Sequence, residues 1–191
     1  MNEFGKMIAP YARRISNMLA RGTLAAVNAA SKMQGLQLRL LAGEVKDNVE
    51  HFEPYGFTSN PKGGAEAVAV FLDGDRSHGI AIVVADRRYR LTGLQTGEVA
   101  LHDDQGQKVH LTRTGIVIDG GGLPLTIQNA PTVTVKAATK VRMETALLEV
   151  TGDIKDKCDS SGKTMSGMRT TYNSHTHNEN NAAGGPTNTP N

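Results

Sequence analysis

The stretch Leu125–Val150, LTIQNAPTVTVKAATKVRMETALLEV, sets apolar pairs at a fixed interval. Leu125 and Ile127 form one pair, Val133 and Val135 the next, Val141 and Met143 a third, and each follows the last by eight positions. Residues two apart on an extended chain point to the same side, so each pair reads as one strand's inward face. Thr, Lys, Gln, Arg, Glu and Asn fill the gaps, with Pro131 and Gly120–Gly122 at corners. Working backward, Val117 holds the register, then Val109 and Leu111; forward, Leu148 and Val150 continue it after a one-residue slip. A short regular period of this kind marks a β-solenoid or an intertwined β-prism. One such pair per repeat cannot surround itself within one chain. Three chains wound about an axis enclose it, and winding also removes free strand edges. The competing reading is an ordinary β-meander inside one larger barrel.

Outward from this stretch, Asp103-Asp104-Gln105-Gly106 lies between Val99–Leu101 and Val109–Leu111 and predicts a hairpin. Before Gly93 the pattern changes. Leu24–Val27 is a short apolar run, Leu36, Leu38 and Leu40 alternate, and Ala67–Leu72 and Gly79–Ala85 are continuous apolar runs expected to be core strands. Tyr55-Gly56, Asn60-Pro61, Gly63-Gly64 and Asp73-Gly74 are turn signals between them. About five strands in this space predict a small closed barrel, the OB-fold being the commonest candidate of that size. Ahead of it, Tyr11, Ile15, Met18 and Leu19 form a helical stripe, with Pro10 in the first turn and Gly22 as the stop. The expected layout is an N-terminal helix at 1–22, an OB-fold barrel at 23–92, a triple-stranded β-helix shaft at 93–155, and a polar, irregular apex at 156–191. The expected fold class is all-β, and homotrimeric on the three-chain reading of the period.

Composition agrees with an elongated β protein. Aromatics are 4% of 191 residues, Trp is absent, and there are 21 glycines. The net charge is +2, and no Lys/Arg run exceeds two residues, which argues against a polyanion-binding surface. Cys158 is the one cysteine, so no disulfide forms within the chain. Pro10, Arg13 and Arg14 interrupt the N-terminal segment before any signal-length apolar run, and no stretch approaches a membrane span.

Ser174-His175-Thr176-His177-Asn178 sits in the polar segment. If extended, it presents the His175 and His177 imidazoles on one side. Two ligands make a poor metal site, but three copies about an axis supply an octahedral nitrogen set suited to Fe(II), or to Ni or Zn. The plain alternative is a pair of solvated histidines. His51, His78, His102 and His110 are scattered and read as surface or interface residues. Asp153, Asp156 and Asp159 could serve a further hard cation near the apex, against a plainer reading of surface solvation.

At this point the chain resembles a known family. Gly74-Asp75-Arg76-Ser77-His78-Gly79-Ile80-Ala81-Ile82-Val83 looks like a barrel strand pair of the phage baseplate assembly protein V family, the central tail spikes of Mu-type contractile phages. Gly97–Gly106 resembles the transition hairpin that opens the β-helix, and Thr151–Ile154 with Tyr172–His177 resembles the apex. The resemblance implies a homotrimer with an OB barrel, a triple-stranded β-helix, and one iron ion on the threefold axis held by His175 and His177. It implies a virion component, made in the host cytoplasm, that plugs the tail tube, sits on a hub and pierces the host outer membrane.

Two rival functions place different demands on the chain. A metallohydrolase needs an open coordination position and a general base, and Glu179 is the only carboxylate beside the histidines. A nucleic-acid-binding OB module needs aromatic platforms in a basic groove. Phe52, Tyr55, Phe57, Phe71 and Tyr89 supply aromatics, but Arg87-Arg88-Tyr89-Arg90 is the best basic candidate, and a solvated strand end or a hub contact explains it as well. The expectation is a structural protein that is not an enzyme and binds no nucleic acid.

Overall fold

A computed structural model describes residues 3–176. The chain divides into two compact units, 1–128 and 129–191, whereas the sequence pattern places its breaks near 92 and 155. In the first unit an N-terminal helix, α1 (Glu3–Asn17), leads into strands β1 (Leu19–Asn28), β2 (Gly35–Arg39), β3 (Val45–His51), β4 (Glu66–Phe71) and β5 (Gly79–Ala85). These close into a barrel in the order β1-β2-β3-β5-β4, with β1 pairing β4. All pairs are antiparallel except β3 with β5.

The helix stops earlier than the stripe predicts. Gly22 does not end it but lies inside β1 opposite Ala67. The backbone of Met18 explains the change: its carbonyl accepts from the Phe71 amide at 2.8 Å, so the chain joins the β4 ladder at once. Gly22 is needed there because a Cβ would come within 2.6 Å of the Arg39 carbonyl and 2.7 Å of Leu40 Cδ2. Pro10 likewise falls inside the helix, not in its first turn.

Leu24, Leu36, Leu38, Leu40, Val49, Ala67, Ala69, Phe71 and Ala81 fill the barrel. The alternating leucines of β2 all point in, as their period requires. The runs Ala67–Leu72 and Gly79–Ala85 are not continuously buried. Ala67, Ala69 and Phe71 point in, while Val68 and Val70 are half-buried, and in β5 only Ala81 is buried. A one-layer barrel has an outer wall, so only alternate positions of an apolar strand reach its core. Small alanines on β4 leave room for the β2 leucines and the Phe71 ring. Arg76 lies over that ring at 4.8 Å and pairs with Glu44 at 2.9 Å.

His51 also departs from expectation. It is buried at the end of β3, an inward position, with Nδ1 2.9 Å from Gln34 Oε1. Glu53 stands nearby, its carboxyl held below the usual range by the Thr58 and Ser59 hydroxyls and the Ser59 amide, against an opposing effect of burial.

The first unit continues with a three-stranded sheet, β6 (Val99–His102), β7 (Lys108–Leu111) and β8 (Ile116–Asp119). Lys62 of the barrel ion-pairs with Asp104 in the β6–β7 turn and keeps that carboxyl below its usual range. In the second unit, residues 129–164 form no strand ladder among the described residues beyond an isolated bridge of Lys155 with Thr164. A helix, α2 (Met165–Ser174), follows. No helix among the described residues is long and apolar enough to cross a membrane.

Candidate functional site

The β6–β7 hairpin forms where its turn signal predicts. Asp103 Oδ1 accepts from the Gln105 and Gln107 amides, both at 2.9 Å, and Gly106 takes a positive φ of 92°. Pairing then sets Val99 opposite Leu111 and Leu101 opposite Val109. The next turn is built on Thr112, whose Oγ1 receives the Gly115 amide at 3.0 Å and the Thr114 amide at 3.2 Å. It places Ile116 opposite Leu111 and Ile118 opposite Val109.

One face of this sheet therefore carries Val99, Leu101, Val109, Leu111, Ile116 and Ile118 and nothing polar. These side chains are 38% to 70% exposed in the single chain. The sequence period assigned this register to Val117. That residue instead sits opposite His110 on the other face, because the Thr112–Gly115 turn fixes the alignment. The signal was present in the alternation of Ile116 and Ile118.

The second face carries Ala100, His102, Lys108, His110, Val117 and Asp119. Lys108 meets Asp119 across the strands at 2.7 Å, which lowers the Asp119 carboxyl. Glu98 accepts the Gln95 amide at 2.9 Å and the Arg113 amide at 3.1 Å, and these backbone donors hold its carboxyl below the usual range. His110 Nε2 lies 3.3 Å from the same carboxylate. The polar groups of that face are largely shielded, Glu98 at 7% and His110 at 18% side-chain exposure, whereas the apolar face is one that water covers only at a hydrophobic cost.

The eight-residue pairs extend the same property. Leu125, Ile127, Val133, Val135, Val141, Met143, Leu148 and Val150 are each 48% to 70% exposed within one chain. Soluble monomers seldom display so regular an apolar series, and such surface marks an interaction site.

The polar segment near the end of the described residues is ordered differently from expectation. Met165–Ser174 is helical, not irregular. Thr164 caps it, Oγ1 accepting from the Gly167 amide at 3.1 Å. The missed signal was Met165, Met168 and Tyr172, spaced for one helical face behind a capping threonine. Asp153 secures the helix start. Its Oδ1 accepts the Ile154 amide at 2.9 Å and the Ser166 amide at 3.2 Å, and its Oδ2 accepts the Ser166 hydroxyl.

The Ser166 hydroxyl is the main reason that the Asp153 carboxyl falls to about 2. A depressed carboxyl contributes stability above its unfolded value, lost as pH falls through the folded one. The clasp on α2 should therefore persist from neutral pH down to about 2. Titrating the Ser166 amide by NMR checks this: an inflection near 4, the ordinary carboxylate region, would rule the clasp out.

His175 follows α2 in extended backbone, with φ −71° and ψ 142°. Its Nδ1 lies against the Tyr172 carbonyl, which can only accept, so Nδ1 carries a proton. A backbone carbonyl on one imidazole nitrogen is the usual support for metal ligation by the other, so the residue fits a ligand's role. The Tyr172 ring stands 5.1 Å away. His177 lies outside the described residues, as do Glu179 and the tail to Asn191. Among the described residues no three His, Cys, Asp or Glu side chains of one chain gather as a metal-holding group.

The first unit thus combines a closed five-stranded barrel with a three-stranded sheet that bares one apolar face. Residues 21–88 match the family described as Bacteriophage Mu Gp45, N-terminal. The chain is 35% identical over 150 residues to the baseplate puncturing device gp45 of Escherichia phage Mu, covering 78% of this chain and 72% of that protein. It is 41% identical over 118 residues to the Mu-like prophage FluMu protein gp45 of Haemophilus influenzae, covering 62% of this chain and 64% of that one. The chain belongs to the bacteriophage Mu Gp45 family.

Proposed function

We propose that the chain is the central spike of a contractile phage tail baseplate, a structural homotrimer that plugs the tail tube and pierces the host outer membrane. The observation that carries this reading is the apolar series from Val99 to Val150, regular in spacing and bare in a single chain. Its similarity to a protein named a baseplate puncturing device supports the setting. The barrel is read as an OB-fold on its strand order, β1-β2-β3-β5-β4 with β3 and β5 parallel. It is the part that meets the hub and tube.

Three copies of the 93–155 segment wind into a triple-stranded β-helix, each giving its apolar pairs to the axis. Strands shared among three chains cannot open singly, which suits a needle under load. The work comes from the contracting sheath, so the chain has no chemical step to perform and is not an enzyme. His175 and His177 of the three chains hold an iron ion at the tip. The ion supplies a cross-link where fraying begins. Before assembly the chain resides in the host cytoplasm, and afterwards in the virion baseplate.

Sedimentation equilibrium tests the reading. The purified chain should run as a trimer; a folded monomer at micromolar concentration would overturn it.

A further inference from the structure

The helix α1 has a face that neither the barrel nor the proposed shaft uses. Phe4, Ile8, Tyr11 and Ile15 follow one another at intervals of four, three and four. That is the seam spacing of a coiled coil, with Ile8 and Ile15 at one core position and Phe4 and Tyr11 at the other. All four are 40% to 69% exposed.

The chain's own barrel does not cover this seam, because the helix touches it by another edge. Arg14 pairs with Asp73 at 3.4 Å, and the Arg14 backbone lies against Gly74, whose positive φ of 71° and missing side chain allow the approach. The hydrogen bond from the Phe71 amide to the Met18 carbonyl fixes the helix end to β4. Lys6 and Arg13 fall on the side opposite the seam and Pro10 falls off it, so neither charge nor the proline ring enters it. Gly5 and Ala12 flank the seam with small side chains, which lets a second helix come close.

We infer that α1 packs through this seam against α1 of other copies of the same chain, forming a short parallel helical collar at the barrel end. The inference rests on the proposed homotrimer, since two heptads are too short to associate without a tether. Joined through the shaft, the helices meet at an effective concentration that makes a weak seam sufficient.

Disulfide trapping in the full chain tests it, with Cys158→Ser removing the native thiol. Ile15→Cys and, separately, Ile8→Cys place a thiol in the seam; Arg13→Cys places one opposite. All three positions are exposed in the single chain, so folding should survive. On mild oxidation the seam variants should form interchain disulfides about tenfold faster than Arg13→Cys. A trimer by sedimentation in which all variants cross-link equally slowly overturns the collar and leaves the spike reading intact. A monomer overturns both. If the seam thiols are protected from a soluble maleimide only on adding anionic phosphatidylglycerol vesicles, the face belongs to a lipid surface and the collar is wrong.

Discussion

Val135→Asp should abolish assembly while leaving the barrel folded. Val135 belongs to the series Val133, Val135, Val141, Met143, which is bare in one chain and, in the proposed trimer, faces the axis. The substitution brings like charges from all three chains together in a dry interior. Each buried, unpaired ion costs several kcal/mol, and repulsion among the three adds to it. No neighbouring basic side chain shares that face, since Lys136 alternates to the other side. Thr134→Asp, one residue earlier, should leave the trimer unchanged because that side meets solvent. Sedimentation equilibrium reads both variants, and circular dichroism reports whether the β1–β5 barrel remains. A Val135→Asp trimer of unaltered melting temperature would show that this face is not the interior one.

Replacing both His175 and His177 by Ala should take the bound iron from about one per trimer to none. The motivation on the molecule is His175, whose Nδ1 donates to the Tyr172 carbonyl, the usual support for ligation by the other ring nitrogen. The shaft repeat ends before these residues, so the variant should remain trimeric. Elemental analysis after expression with iron available is the measurement. Wild-type protein with no stoichiometric metal would refute the site. Metal surviving in the double variant would move the ligands elsewhere. Asp153 is then the least suitable of the nearby carboxylates, because Ile154 and Ser166 already occupy its oxygens.

Much of this was legible in the residues. The leucine alternation at 36, 38 and 40 and the glycine-rich turns carry enough period to place a small barrel, and Asp103–Gly106 carries enough turn chemistry to place its hairpin. Family membership was legible in the order of motifs, and the comparison with the phage Mu protein bears it out. The apolar period of eight is likewise a property of sequence alone, since spacing needs no coordinates to read.

Other features were decided by tertiary contact. Gly22 looks like a helix stop until the β4 ladder is present to claim Met18 and its neighbours for a strand. His51 looks solvated until closure of the barrel turns the end of β3 inward and brings Gln34 against it. Val117 fits the period, but the hydrogen bonds of the Thr112 turn align Ile116 and Ile118 with the apolar face instead. A one-residue shift reverses every side chain of a strand, so register rests on turn geometry that the period cannot express. The end of α2 follows the same logic. Its apolar stripe is thin, and the Asp153 clasp that holds its first turn comes from a residue well before it in the chain. Local pattern thus determined which segments are strands and which side chains are apolar, while turn hydrogen bonds and contacts distant in sequence decided where each element stops and which way it faces.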